Sequence, residues 1–71
     1  MIDPYRLVFD RLHAAGSPDA NARERIYAEC RAQVAAACAD EGKRGKALAA
    51  LEKVIRRQEM QALYEQSIHD R

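Results

Sequence analysis

The chain has 71 residues, 12 Lys and Arg against 11 Asp and Glu, and a formal net charge of +1, so it lacks the strong basic excess of a nucleic-acid module. That length supports one small domain, and the longest apolar run, Val34 to Ala39, is far short of the roughly 20 residues that span a bilayer. The hydrophobic fraction is 48%, but fourteen of those residues are alanine, with one Phe and no Trp. At roughly 25 cal/mol per Å² removed from water, such small side chains require close helix packing and a second chain to complete the core.

The N-terminus, MIDPYRLVFDR, has acids inside it and no signal-peptide core. A soluble, cytoplasmic protein is therefore expected. β-Branched residues are scattered and never alternate, so no strand is predicted. The first helix is predicted over residues 4–15. Asp3 caps it and Pro4 suits its first position, while Tyr5, Val8, Phe9 and Leu12 form an apolar stripe with Leu7 to its side. Gly16 ends it, since glycine enters the left-handed region without a Cβ penalty. Asp10 and His13, three apart, read as a surface pair.

The second helix is predicted over 18–41. Its start is open between Ser17-Pro18 and an Asn21-x-x-Glu24 capping box, and Gly42 is its expected stop. Ile26, Tyr27, Cys30, Val34, Ala37 and Cys38 recur at helical spacing. Tyr27, like Tyr64 further on, sits at a stripe edge, with its ring packed and its hydroxyl in water. Cys30 and Cys38 are about 12 Å apart along one helix, beyond the 7 Å or so between Cα atoms that a disulfide allows. They read as small apolar groups of a reducing compartment.

The segment Gly42-Lys43-Arg44-Gly45 is the expected chain reversal, and the third helix is predicted over 44–68. Leu48, Leu51, Val54 and Ile55 form its stripe, with Glu52 and Arg56 an i,i+4 pair. At Gln58-Glu59 the register changes. Apolar residues resume as Met60, Leu63, Tyr64 and Ile68, turned by roughly 80–120° at 100° per residue. No Gly or Pro marks a break, so one long helix serving two surfaces is the preferred reading. Fraying is expected at His69 to Arg71.

The expected architecture is all-α. A short N-terminal helix joins an antiparallel hairpin in which Leu48, Leu51 and Ile55 face Ile26, Cys30, Val34 and Cys38. Val8, Phe9 and Leu12 cover one end of that seam. The spare surface at Met60, Leu63, Tyr64 and Ile68 closes against a second copy as a dimeric bundle.

Charge is unevenly placed. Residues 43–57 hold six bases, Lys43, Arg44, Lys46, Lys53, Arg56 and Arg57, against one acid, and both flanks are acidic. A solvated helix face is the first reading of this run, contact with an acidic protein surface the second, and nucleic acid the third, since no aromatic is interleaved for base stacking. Gly42 to Lys46 lacks the spacing of a phosphate-binding loop. Cys30, His13 and Asp10 make no recognisable nucleophile–base set, and no Cys or His spacing suits a metal. A cleft of 300 Å³ or more, typical of ligand sites, is not expected. No cofactor and no enzymatic activity are expected.

The positions Arg23, Ile26, Tyr27, Arg31 and Val34, followed by Ala47, Leu48, Leu51, Glu52 and Ile55, fit an RxxIYxxxRxxV…ALxxLExxI pattern. In this the chain resembles short helical segments of bacterial, especially alphaproteobacterial, proteins of unknown function. The resemblance covers about half the chain. It implies a helical hairpin and no particular activity. Some of those proteins carry a membrane anchor further along, for which this sequence shows no candidate.

The functional expectation is a small non-enzymatic module that works through helix-to-helix contact. The alternatives are a nucleic-acid-associated regulator using the basic run, and an antitoxin-like or anti-sigma-like adaptor that binds a partner protein.

Overall fold

The computed structural model describes residues 3–69. They form three α-helices, α1 (Pro4–Ala14), α2 (Ala20–Ala37) and α3 (Glu41–His69), and no strand. Of the residues expected to fray, His69 is within α3, and 70 and 71 lie outside the described residues.

Local signals account for each helix start. The Asp3 carboxylate accepts the Tyr5 N–H at 3.0 Å, with Pro4 behind it as the first helical residue. For α2 the cap is Asp19, not Ser17 or Asn21: its Oδ1 accepts the Ala22 N–H at 2.8 Å and its carbonyl accepts the Arg23 N–H. A carboxylate one position after Pro18 reaches the third helical N–H, which satisfies an otherwise orphaned donor. Gly16 has φ of +80° and donates its N–H to the His13 carbonyl, as expected of a residue just past a helix end.

The reversal between α2 and α3 lies at Cys38 to Asp40, earlier than the two glycines. Asp40 Oδ1 accepts the Lys43 N–H at 3.1 Å, and Arg44 Nε donates to the Cys38 carbonyl at 3.1 Å. A carboxylate cap and an arginine on the freed carbonyl thus close the turn without left-handed backbone. Gly42 and Gly45 are the second and fifth residues of α3, and α2 ends at Ala37 where the sequence suggested 41. This sets opposite expectations for two substitutions. Gly16→Ala forces a side chain to positive φ and lowers stability by about 1 kcal/mol. Gly45→Ala meets open space and raises stability by about 0.5–1 kcal/mol, the helix-interior cost of glycine. Urea unfolding of the two variants checks both signs.

Three side-chain pairs join α2 to α3. Arg23 and Tyr27 reach Glu59, and Arg31 reaches Glu52. Partner numbers fall as chain numbers rise, so the two helices form the expected antiparallel hairpin. Helix α1 packs against both. Val8, Tyr27, Cys30, Val34, Leu51 and Ile55 are the buried core, with Leu7, Leu12, Ile26, Ala47, Leu48 and Val54 packed around them. This is the predicted seam with four changes. Tyr27 is fully inside and not at an edge, Leu7 packs inward, Cys38 is only half-buried at the end of α2, and Tyr5 and Phe9 are about half exposed.

The exchange of Leu7 for Tyr5 and Phe9 follows from the position of α1. Lying across the groove between two helices, it presents an arc centred on Val8. Leu7 and Leu12 flank that arc, and Arg11 bonds Gln33 of α2 at 3.0 Å. Tyr5 and Phe9 fall to one side, where their rings stack with centroids 6.3 Å apart, and Phe9 stacks on His13 at 5.8 Å. His13 therefore uses its face on Phe9. It forms no ion pair with Asp10, contrary to the sequence reading.

The radius of gyration is 13.2 Å and the longest extent 47 Å, against about 11 Å expected for a compact chain of this length. The excess comes from α3. Its 29 residues span about 43 Å, and its last turns run past both neighbours, every residue from 63 to 68 being exposed.

Candidate interaction surface

Helix α3 turns one face to α1 and α2 and the opposite face outward. Taking Leu51, which is fully buried, as the inward direction, Met60 falls about 180° round the axis, and Leu63, Tyr64 and Ile68 about 100–140° to either side. The predicted change of register is therefore larger than the sequence suggested, and the four residues share the outer side of one continuous helix. Their exposures are 65%, 67%, 68% and 53%. Tyr64 is a surface residue with its ring uncovered, unlike the packed edge residue expected. The inner side of the same turns is polar, with Glu65 accepting from Gln61 at 3.3 Å.

The six predicted cations do not act as one set. Lys46, Lys53, Arg56 and Arg57 lie on the outer side of α3, roughly 120–160° from Leu51, and are exposed. Arg44 points inward, partly buried against the Cys38 carbonyl. Lys43 sits beside Pro4 at the rim of a groove near the start of α1. Among the described residues, none of the four outward cations forms an ion pair.

Of the acids of α3, Glu52 stands at the edge of the outward arc, about 100° from Leu51, and turns to α2, while Glu59 lies on the α2 side. Glu52 accepts from Arg31 Nε and Nη2, a two-pronged contact. Those bonds hold its carboxyl below the usual range, with Arg31 and Arg56 adding through-space attraction. The expected Glu52–Arg56 pair is thus replaced by a contact between helices, which leaves the Arg56 guanidinium outward. Exposed pairs of this kind contribute about 1 kcal/mol or less, so Arg31–Glu52 sets register more than stability.

Glu59 has the more enclosed partners. Its Oε2 accepts from Arg23 Nε and the Tyr27 hydroxyl, both at 2.8 Å, while Arg23 Nη1 donates to the Pro18 carbonyl at 3.1 Å. Burial, then the bond and charge of Glu59, push the Tyr27 hydroxyl well above its ordinary pKa. Sequence reasoning missed this cluster. Its only local sign was a polar residue, Glu59, where the α3 stripe faltered. Pairing it with Arg23 required the hairpin register.

Burial also raises the Cys30 thiol, and both cysteines are free. Two depressions exceed the size expected. A cleft of about 320 Å³ lies between the α1–α2 turn and Gln58, Gln61 and Glu65 of α3. A groove of about 720 Å³ is lined by Pro4, Val34, Ala37, Ala47 and Ala50, among others. Small alanines leave that second space open. His13 and Ser17 also line the first, where Arg23 is already bonded to Glu59 and Pro18, and Cys38 in the second has Asp40 and lysines as its polar neighbours. Among the described residues, no group of three or more His, Cys, Asp and Glu side chains is placed to hold a metal ion, and no helix is long and apolar enough to cross a membrane. No family model matches this chain, and comparison with curated proteins and with solved structures finds no significant match.

Proposed function

We propose that this chain is a small, non-enzymatic interaction module of the cytoplasm that self-associates, most simply as a two-fold dimer, through the outer C-terminal part of α3. The observation that carries this reading is the patch of Met60, Leu63, Tyr64 and Ile68, four large side chains each more than half exposed on a helix that outruns its own domain. They offer roughly 500 Å² of surface, toward the upper end of what a monomer leaves uncovered. The free cysteines suit a reducing compartment. Sedimentation velocity tests the proposal. A dimer with a dissociation constant on the order of 10 μM is expected for an interface near the small end of the range. Met60→Ser with Tyr64→Ser weakens it at least about 100-fold, as loss of two anchoring side chains does, with helicity unchanged. A wild-type chain that stays monomeric at ten times that concentration overturns the reading.

A second reading rests on the outward cations Lys46, Lys53, Arg56 and Arg57, none of which forms an ion pair among the described residues. These cations are placed to meet an anionic partner, either nucleic acid or an acidic protein for which the chain acts as adaptor. A mobility-shift assay at about 50 mM salt, where phosphate contacts are strong, decides the nucleic-acid form. Absence of binding there removes it. Co-purification of a second protein from the source cell supports the adaptor form.

A further inference from the structure

We infer that the cleft between the α1–α2 turn and the inner side of α3 is a binding site for a free α-amino acid with an apolar side chain. This site is separate from the outer surface of α3, and neither depends on the other. Beyond Ile55 the inward face of α3 changes character. Gln58, Ala62 and Glu65 fall within about 40° of the Leu51 direction at 100° per residue, whereas Leu51 and Ile55 lower on that face are buried. A face that served only to close the core would stay apolar there. Instead it becomes small and polar beneath the turn, and a space of about 320 Å³ lies between them, at the lower end of the range for ligand sites.

The two sides of the cleft offer opposite chemistry. On the α2 side, Arg23 donates from Nε to Glu59 at 2.8 Å and from Nη1 to the Pro18 carbonyl at 3.1 Å. Those bonds fix the guanidinium and leave Nη2 for a further acceptor, with the Ser17 hydroxyl also lining the cleft. On α3, Glu65 accepts from Gln61 and has no cationic partner among the described residues. Phe9, Leu12 and Ala62 supply an apolar wall. A fixed donor, a carboxylate and hydrocarbon together match a ligand that bears a carboxylate, an ammonium group and an apolar side chain on one carbon. The spacing agrees. Arg23 is bonded at the level of Glu59, and Glu65 stands six residues further on, about 9 Å along the axis. With a hydrogen bond of about 2.9 Å at each end, the two charged groups of an α-amino acid bridge roughly 8–9 Å. Because Glu59 already offsets the Arg23 charge, a simple anion gains little against Glu65, and a simple cation leaves the Arg23 donor unused.

Titration of the full chain with L-leucine, followed by amide NMR shifts, tests the site. Saturable binding with a dissociation constant on the order of 1 mM is expected for so small a ligand, with the largest shifts at the α1–α2 turn and from Gln58 to Glu65. Isocaproate, which is leucine without its ammonium group, and isoamylamine, which lacks the carboxylate, should each bind about tenfold more weakly or worse, since each leaves one polar side of the cleft unpaired. Glu65→Gln changes an exposed side chain without changing its size. It is expected to weaken leucine about tenfold, through loss of a charged hydrogen bond, and to leave isocaproate no weaker. Met60→Ser with Tyr64→Ser, on the opposite side of α3, should bind leucine as the wild type does. Equal affinity for leucine and either analogue overturns the assignment, as does leucine binding that Glu65→Gln leaves unchanged. Loss of binding in the Met60 and Tyr64 variant, or no saturation at about 50 mM leucine, overturns it as well.

Discussion

Leu51→Ala is expected to lower the melting temperature by about 15–20 °C or more, at 4–8 °C per kcal/mol for a domain this small. Leu51 is completely buried on the α3 stripe that α1 and α2 cover. Truncating a buried leucine costs about 2–5 kcal/mol, the upper figures applying where the cavity cannot collapse. A 71-residue domain has only about 4–10 kcal/mol in total. Among the described residues the buried core is six side chains, one of them a cysteine, so little is left to close around the gap. Leu63→Ala removes the same atoms from a side chain that is 67% exposed and should change the melting of the monomer by less than about 0.5 kcal/mol. Circular-dichroism melts at one fixed dilute concentration, so that association does not contribute, check the pair. Equal losses from both would show that Leu51 is not the core residue described.

Glu59→Ala should be the most damaging polar substitution, costing about 2 kcal/mol. It leaves the Tyr27 hydroxyl, on a residue only 4% exposed, without an acceptor and strips Arg23 of its carboxylate. The cost stays moderate because the Glu59 side chain is itself 40% exposed and water reaches the arginine after truncation. Tyr27→Phe removes only the hydroxyl and should cost about 1 kcal/mol. The double variant should cost less than the sum, because the two share one bond.

The same cluster gives a pH dependence. Tyr27 is held neutral in the fold, with its pKa raised above the value near 10 of an unfolded tyrosine. Its contribution is therefore complete below about pH 10 and is lost as pH rises beyond that toward the folded value. Alkaline unfolding should be less steep in Tyr27→Phe than in the wild type, and an unchanged slope would count against the burial of that hydroxyl.

The helices were legible because their signals are local. Asp3-Pro4, Gly16 and the period of Leu48, Leu51 and Ile55 each act within a few residues, and the structure uses all three. Where two local signals competed, reading them singly misled. Gly42 and Gly45 are the breakers nearest the reversal, yet helix α3 includes both, because the Asp40 cap and the Arg44 bond to Cys38 close the turn before them. The cost of glycine inside a helix is only about 1 kcal/mol, less than what the cap and packing provide.

The candidate surface divides in the same way. That Met60, Leu63, Tyr64 and Ile68 form a face apart from the core followed from spacing alone. Which cations stand on that side did not: Arg44 turned inward to a carbonyl, and Glu52 left Arg56 for Arg31. The first depends on where the turn before α3 falls, six residues back, and the second on a residue 21 positions away.

Composition and periodicity were enough to establish three helices, an antiparallel hairpin and an apolar surplus at the end of α3, since each arises from contacts within one helix or across one turn. The burial of Tyr27 on Glu59, the inward Leu7 and the pairing of Glu52 with Arg31 were settled by packing. They depend on the angle at which α1 crosses its neighbours and the register in which α2 meets α3, and these are properties of three helices together that no single stretch of chain encodes.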